Sequence, residues 1–288
     1  MDGREELAVL FEAERGRLRS VAQRMLGSTG EAEEAVQEAW LRLERADAAA
    51  VENLPGWLTT VVSRICLDVL RARARAGAGR REAHVEEPVV EGPEAEAELV
   101  EEVGRAMLVV LDRLGPAERV AFVLHDGFAV PFEQIGPVVG RTPVAAKKLA
   151  SRARQRVRGT AGAEPAPPAG HRAVVEAFLA AARGGDLDAL LAVLAPDVVR
   201  RADPAALPAG RPAVARGALA VARETRVIGQ RARFGVPVLV DGGIGVAIAP
   251  GGRLWLVLLM TVADGRVAGF EVVADRARLA GTEITLLP

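Results

Sequence analysis

The chain has 288 residues, half of them hydrophobic, and a formal net charge of −1. This length predicts two or three domains with a sizeable core, and the balanced charge excludes an overall electrostatic attraction to nucleic acid or membranes, so any such attraction must be local. The single cysteine, Cys66, excludes a disulfide framework and a cysteine-rich zinc site.

Residues 1–76 have the periodicity of helices and predict an all-α domain. In the stretch GSTGEAEEAVQEAWLRL, Ser28 and Glu31 have the spacing of a capping box, which indicates a helix start. An apolar stripe follows at helical spacing, formed by Val36, Ala39, Trp40 and Leu43. The other side of this helix is acidic and polar, with Glu31, Glu34, Gln37 and Glu38. A second helix is predicted from about Trp57 to Arg75.

Two stretches of low apolar content predict linkers. Residues 77–98 hold seven glutamates between Glu82 and Glu98 and no lysine or arginine in that span, which is typical of an extended or disordered segment. Residues 160–170, TAGAEPAPPAG, are short and rich in proline and alanine, which indicates a semi-stiff connection. These linkers divide the chain into blocks at 1–76, 99–159 and 171–288.

The second block ends in a basic helix that follows a tight turn. Thr142-Pro143 is a typical helix start, because threonine caps the backbone and proline suits the first turn. Just upstream, PFEQIGPVVG predicts a short helix whose length Pro137 limits, and Gly140 supplies the turn. A short helix, a glycine turn and a long basic helix are the arrangement of a helix-turn-helix, whose second helix enters the major groove of DNA.

The charge of this predicted recognition helix supports DNA binding. Between Arg141 and Arg158 the chain carries seven cations and no acid, and such cations neutralise phosphates and release counterions. Because the N-terminal turns of a recognition helix approach base edges, Val144, Ala145 and Lys148 are predicted to read bases. The remaining predicted DNA contacts are the phosphate-binding Arg141, Lys147, Arg152 and Arg154, together with Thr142 and Ser151. The alternative is a solvated basic face on an ordinary helix.

The third block, residues 171–288, predicts an α+β domain. Two helical stretches, HRAVVEAFLAAARGG and DLDALLAVLAPDVV, come first. Four strand-like runs follow: RARFGVPVLV, IGVAIA, RLWLVLLMTV and RVAGFEVVAD. Ala263-Asp264-Gly265 joins the last two runs as a predicted hairpin turn. Helices followed by consecutive strands predict a curved antiparallel sheet.

The first two blocks together resemble an extracytoplasmic-function (ECF) sigma factor of the sigma-70 class over residues 5–158. Three segments carry the resemblance in order: STGEAEEAVQEAWLRL, NLPGWLTTVVSRICLDVLRARAR and LGPAERVAFVLHDGFAVPFEQIGPVVGRTPVAAKKLASRARQRV. The resemblance implies that residues 1–76 are sigma region 2, which binds core RNA polymerase and the −10 promoter element. It also implies that residues 99–159 are region 4, which reads the −35 element.

The resemblance assigns roles to individual residues. Polymerase contact is implied for Glu31, Glu34, Gln37 and Glu38. Contact with −10 DNA is implied for Trp57, Arg64, Arg71, Arg73 and Arg75. Two simpler interpretations stay open, because glutamate near a helix start complements the macrodipole and tryptophan often anchors a core. The acidic linker either lies in a basic channel of the polymerase or is a plain tether.

The third block resembles SnoaL-like domains, which share the cone-shaped NTF2-like fold, through VVEAFLAAARGGDLDALLAVLAPDVV, VDGGIGVAI and VVADRARL. The resemblance implies that this domain modulates the sigma factor from within the chain. Enzymes of this fold use a pocket carboxylate with a partner. The available acids are Asp197 and Asp203, the histidine of this block is His171, and the chain has no tyrosine. A pocket that senses a small molecule is therefore favoured over catalysis.

Taken together, the sequence predicts a cytoplasmic, non-enzymatic transcription initiation factor without metal or cofactor. The charged N-terminus is unlike a signal peptide, no apolar run is long enough to span a membrane, and the three histidines are scattered. The predicted partners are core RNA polymerase, promoter DNA and a small-molecule ligand of the third domain. The alternatives are a helix-turn-helix regulator that acts without polymerase, and a fusion whose SnoaL-like domain is a cyclase or isomerase.

Overall fold

The structure, a computed structural model, describes residues 3–46, 51, 53–79, 102–158, 169–207 and 210–287. The chain forms two compact units: Met1–Ala83 with Leu111–Arg156, and His84–Val110 with Val157–Pro288. Most of the predicted acidic linker and most of the Pro/Ala linker lie outside the described residues.

The first unit begins with three helices, α1 (Gly3–Leu26), α2 (Thr29–Arg45) and α3 (Leu54–Gly79). The predicted stripe of α2 faces the core, since Val36, Ala39 and Leu43 are buried. Ser28 caps α2 as predicted, because its hydroxyl accepts a hydrogen bond from the Glu31 amide at 3.4 Å. The Glu31 carboxylate binds Arg73 of α3.

Helix α3 is longer than the sequence prediction. It begins at Leu54, three residues before Trp57, because the Asn53 side chain accepts a hydrogen bond from the Gly56 amide at 3.0 Å and caps the helix. Pro55 is compatible with this start, since the first turn of a helix needs no amide donor from it. The helix runs to Gly79, four residues beyond the predicted end.

The rest of the first unit is also helical. After α4 (Glu102–Asp112), which straddles the two units, the chain forms α5 (Pro116–Phe122), a π-helical turn (Val123–Gly127), α6 (Phe132–Val139) and α7 (Pro143–Arg158). Their apolar faces meet in a core of Leu124, Ile135, Val139, Ala146, Ala150 and Ala153. Helices α5 and α6 pack against α3.

Two glycines determine the connection between α6 and α7. Gly140 ends α6 in the left-handed conformation, with φ +68°, as the predicted glycine turn requires. Gly136 lies where the two helices approach most closely, because a Cβ atom there would be 2.8 Å from the Arg141 carbonyl oxygen. The short α6 contains Pro137, in agreement with the prediction of a short helix.

The second unit is an α+β domain built on a seven-stranded sheet. Its helices are α8 (Ala169–Gly184), α9 (Leu187–Val193), α10 (Ala218–Ile228) and α11 (Arg276–Gly281). Its strands are β1 (Leu194–Ala202), β2 (Val214–Arg216), β3 (Gly235–Val240), β4 (Gly243–Ile248), β5 (Leu256–Ala263), β6 (Arg266–Val273) and β7 (Ile284–Thr285). The order across the sheet is β2-β1-β6-β5-β4-β3-β7. Turns of 3-10 helix at Pro204–Ala206, Gly229–Phe234 and Pro250–Gly252 flank it.

Strand β1 corrects two predictions. The second predicted helix of this block was extended over residues that form β1, because Pro196 cannot donate a helical hydrogen bond and the β-branched Val198 and Val199 favour a strand. The sheet is also mixed, since β1 runs parallel to β6 while the other described neighbours are antiparallel. Register shifts within β1 and β5 bend these strands.

The core of the second unit lies between one face of the sheet and helices α8, α9 and α10. Phe178 of α8 and Phe270 of β6 contact each other there, with ring centroids 5.6 Å apart. The predicted hairpin at Asp264-Gly265 is present, and both residues have positive φ, which suits the twist of paired strands.

Candidate nucleic-acid interface and an internal cavity

Helix α7 exposes a basic surface from its first turn onward. The exposed residues are Arg141, Thr142, Val144, Lys147, Lys148, Ser151 and Arg152, and Ala145 is half-buried beside them. Val144 is the clearest case, because 68 % of this apolar side chain is accessible. Thr142 caps the helix, since its hydroxyl accepts a hydrogen bond from the Ala145 amide at 3.3 Å. The N-terminal turns of α7 therefore present their side chains to solvent.

The opposite side of α7 is held within the protein. Ala146, Ala150 and Ala153 are buried, so small side chains allow close packing. Arg154, predicted to contact phosphate, is half-buried and donates from Nε to Asp126 Oδ1 at 2.7 Å. Arg156 pairs with Glu118 of α5. The cations of α7 thus divide into an exposed set near its start and a paired set near its end.

The predicted polymerase contacts on α2 also divide. Glu34 and Gln37 are exposed. Glu38 forms an ion pair with Arg42 one turn later, at 2.9 Å. Glu31 is partly exposed and pairs with Arg73, so it is committed to a contact with α3. The freely presented part of the acidic face is centred on Glu34 and Gln37.

Helix α3 holds most of its predicted DNA-binding cations in internal contacts. Arg64 donates from Nη2 to the Pro137 carbonyl oxygen of α6 at 3.3 Å. Arg73 donates to the Leu26 carbonyl oxygen at 2.9 Å, in addition to Glu31. Arg71 pairs with Asp68 at 3.6 Å. Trp57 is half-buried, and Arg75 is exposed.

Behind α3 lie two buried titratable groups. Cys66 is fully buried, and loss of hydration raises the pKa of its thiol to about 12. Arg119 of α5 is 3 % exposed, and burial lowers the pKa of its guanidinium to about 10, although Asp112 at 3.5 Å opposes this shift. Its Nε has no hydrogen-bond partner among the described residues. The packing of α5 on α3 therefore includes a charge that is only partly compensated.

The second unit encloses a cavity of about 100 Å³ between the sheet and helices α8 and α10. Its wall is mostly apolar and includes Phe178, Leu179, Val246, Ile248, Leu256 and Phe270. Its charged side chains are Arg200, Glu224 and Arg231. Arg200 is 5 % exposed, donates from Nη1 to the Pro212 and Ala213 carbonyl oxygens at 3.0 and 3.2 Å, and forms an ion pair with Glu224.

The acids proposed from sequence as pocket carboxylates do not line this cavity, and neither does His171. Asp203 instead accepts hydrogen bonds from the Ala274 and Asp275 amides, both at 3.1 Å, and pairs with Arg278 at 2.8 Å. It therefore joins β1 to the end of β6. The sequence analysis missed the charged pair that does line the cavity, because its members are 24 residues apart on different elements.

Two searches of the described residues gave negative results. No group of three or more histidine, cysteine or acidic side chains there has an arrangement that could bind a metal ion. None of the helices in the described ranges is both long enough and apolar enough to cross a membrane.

An acidic helix in a three-helix body, an exposed basic helix after a tight turn, and an added α+β domain define the class of a sigma-type transcription protein with a C-terminal extension. Residues 10–76 match the sequence model of the family described as Sigma-70 region 2. This match covers most of α1, α2 and α3 up to Arg75 and beyond by one residue, so these helices are a sigma region 2.

The relatives define the family more narrowly. The chain is 38 % identical to the ECF RNA polymerase sigma factor SigJ of Mycobacterium tuberculosis H37Rv, over 95 % of this chain and 93 % of that protein. It is 39 % identical to the probable ECF RNA polymerase sigma factor SigI of Mycobacterium tuberculosis CDC 1551, over 70 % of this chain and 72 % of that protein. The chain therefore belongs to the ECF family of RNA polymerase sigma factors.

A solved structure was also found. The crystal structure of the Mycobacterium tuberculosis extracytoplasmic function sigma factor SigJ aligns with 98 % of this chain and 100 % of that chain, at 35 % sequence identity and a TM-score of 0.44.

Proposed function

We propose that this chain binds core RNA polymerase, directs it to specific promoters, and has its activity modulated in cis by its C-terminal domain. Family membership over nearly the whole chain supports the initiation role. The observation that carries the DNA-binding part is the exposure of the first turns of α7, including an apolar Val144 that is 68 % accessible.

In this proposal, α6 and α7 are the helix-turn-helix of region 4, within a domain at residues 99–159. Val144, Ala145 and Lys148 read base edges of the −35 element, because the start of a recognition helix lies deepest in the major groove. The exposed Arg141, Lys147 and Arg152 bind phosphates, and Thr142 and Ser151 support them. The predicted phosphate contact of Arg154 requires this side chain to exchange Asp126 for DNA.

Region 2 supplies the polymerase and −10 contacts in this proposal. Glu34 and Gln37 are exposed and offer the acidic surface of α2 to a basic partner. Glu38 and Glu31 contribute after exchanging the internal cations that now neutralise them.

The −10 contacts of α3 follow the same logic. Trp57 and Arg75 keep accessible surface in the described structure, whereas Arg64, Arg71 and Arg73 have internal partners. Binding of α3 to single-stranded promoter DNA therefore includes an exchange of partners by these arginines. A half-buried tryptophan is suited to this site, since base stacking on an aromatic ring is tolerant of sequence.

The α+β domain at residues 171–288 is proposed to be SnoaL-like, with the NTF2-like cone, and to regulate the sigma domains without catalysing a reaction. Two observations support this role. The cavity is enclosed and largely apolar, which suits a small-molecule ligand. Glu224, the carboxylate on its wall, is ion-paired with the buried Arg200 and so lacks the arrangement of a pocket base.

A reconstitution with purified core RNA polymerase tests the proposal. We expect the full chain to co-purify with core polymerase and to support promoter-dependent transcription that core polymerase alone does not perform. A chain lacking residues 160–288 should still bind polymerase but give a different level of transcription. Failure of the full chain to bind polymerase, together with binding to duplex DNA alone, would favour the regulator that acts without polymerase.

A further inference from the structure

The cavity of the second unit shares a wall with the site at which helix α4 is held. The 3-10 segment Gly229–Phe234, here called the rim segment, contributes Arg231 and Ala232 to the cavity lining. The neighbouring Arg233 carbonyl oxygen accepts a hydrogen bond from Arg105 of α4 at 3.3 Å. One short segment therefore contacts both the contents of the cavity and α4.

Two further contacts fix this arrangement. Arg183, at the end of α8, donates to the Ala232 carbonyl oxygen at 3.1 Å and to the Gly235 carbonyl oxygen at 2.7 Å. Leu108 of α4 packs against Gly252, whose missing side chain leaves room for it, since a Cβ atom there would be 3.1 Å from that of Leu108. The rim segment is thus held by arginines from two helices, and one of those helices is α4.

The cavity wall favours a ligand with one negative charge. The charge of Arg200 is balanced by Glu224, and its Nη atoms are already engaged by that carboxylate and two backbone carbonyls. Arg231 adds a positive charge and stacks on Trp255, with its guanidinium carbon 4.6 Å from the ring centroid. A guanidinium stacked by its face still directs N–H donors from its edge toward a carboxylate.

The size of the cavity limits the ligand. A volume of about 100 Å³ is well below the roughly 300–1,000 Å³ of sites for drug-sized molecules. It is closer to the cavity of about 150 Å³ that holds benzene in an engineered protein. The apolar part of the wall, with Phe178 and Phe270, would enclose a short chain or a single ring.

We propose that the cavity is a regulatory binding site for a small carboxylic acid with a compact apolar body of about four to seven carbons, and that the acid stabilises the rim segment and thereby the docking of α4. The coupling has a direct route along the chain, because α4 continues through Leu111 and Asp112 toward α5, α6 and α7. This inference deepens the proposed in-cis regulation and rests on it.

Titration of the full-length protein with pentanoate and benzoate tests the site, with pentan-1-ol and benzyl alcohol as neutral analogues. We expect saturable binding of both acids by calorimetry, and binding of the alcohols at least tenfold weaker. Arg231→Gln should lower the affinity for pentanoate about tenfold, because a charge-assisted hydrogen bond is lost. Arg231→Lys should retain part of it, and Arg223→Gln, an exposed change on α10, should leave the affinity within twofold.

Hydrogen exchange of the α4 amides tests the coupling. Pentanoate should increase the protection of residues 104–110 severalfold. Because coupling between two sites is reciprocal, Arg105→Ala should lower the affinity for pentanoate by a similar factor. Equal affinities for acid and alcohol, or an unchanged affinity in Arg231→Gln, would overturn the assignment of an acid. Pentanoate binding without a change in α4 exchange would overturn the coupling.

Transcription with core polymerase, measured in the same samples, separates this inference from the proposed function. Normal promoter-dependent transcription with no binding of either acid refutes the ligand assignment alone. Intact binding of pentanoate by a protein that never supports transcription refutes the proposed sigma activity alone.

Discussion

Helices α3 and α7 are both basic, but they differ in what their cations do. The first turns of α7 expose Lys147, Lys148 and Arg152 to solvent. In α3, Arg64 and Arg73 donate to main-chain carbonyl oxygens 73 and 47 residues away in the sequence. The difference indicates that α7 is ready to bind DNA, whereas α3 must first give up contacts within the protein.

This contrast has an energetic meaning for assembly. A hydrogen bond from a charged group contributes roughly 1.5–3 kcal/mol, so release of the α3 arginines costs free energy that polymerase and DNA must supply. The exposed cations of α7 carry no such cost, and their binding should follow simple counterion release. Four experiments test or sharpen the comparison.

The largest expected effect concerns Cys66 on the buried side of α3. Burial raises the pKa of this thiol to about 12, so at pH 8 its thiolate fraction is about 1,000-fold lower than that of a thiol with a pKa near 9. Alkylation by iodoacetamide should be slower by at least this factor in the native protein. Its rate should keep rising above pH 9, where the rate of the denatured chain levels off.

The same pKa shift affects stability. The unfolded chain loses the Cys66 proton above about pH 9 while the folded chain keeps it, so unfolding should become easier as pH rises from there toward 12. Rapid alkylation of the native protein at pH 8 would show that α3 is not held as described.

The second effect concerns the exposed cations of α7. In Lys148→Ala/Arg152→Ala, the affinity for promoter DNA should fall about 10- to 100-fold, and the slope of log K against log salt should become less negative by about 1.8, or 0.9 for each lost phosphate contact. Filter binding or fluorescence anisotropy at several salt concentrations measures both. Arg223→Ala removes an exposed charge from the second unit and should change neither value.

The third effect concerns the turn that presents α7. Gly136→Ala places a Cβ atom 2.8 Å from the Arg141 carbonyl oxygen and 3.1 Å from the Pro143 nitrogen, which should destabilise the first unit by about 2 kcal/mol. Gly140→Ala is the matched control, since the new atom meets open space and only the positive φ resists it, at about 1 kcal/mol. Urea unfolding gives both values, and the reverse order would contradict the described turn.

The smallest effect concerns the internal contacts of α3. Arg73→Ala removes the bonds to Leu26 and Glu31 and should lower the free energy of unfolding by about 1 kcal/mol, since the pair is partly exposed. Arg75→Ala, exposed two residues later, should change it by less than about 0.5 kcal/mol. Equal effects of the two substitutions would remove the distinction between α3 and α7.

The features that sequence reasoning predicted well are those with local causes. The start of α7 at Thr142-Pro143 and the cap of α2 at Ser28 depend on residues within one turn of each other. The strands β3 to β6 were found from their apolar runs, although the predicted start at residue 231 lies in the rim segment and β3 begins at Gly235. Helix α10 was missed.

The features that it missed depend on distant partners. The parallel position of β1 needs β6, about 70 residues later, to be apparent. The pairing of Arg73 with Glu31, which gives two predicted binding residues to each other, spans 42 residues. Spacing along the chain carries no information on such contacts, so the amphipathic pattern alone presented every charge of α2 and α3 as a free surface.

The parallel contact between β1 and β6 has a consequence for biosynthesis. The strand at Leu194–Ala202 lacks one of its two neighbours until Arg266–Val273 has been translated. A ribosome adds roughly 5–20 residues per second, so the sheet is completed on the order of 10 s after the last residue of α7. In every newborn molecule, the promoter-reading helices exist before the domain proposed to restrain or assist them.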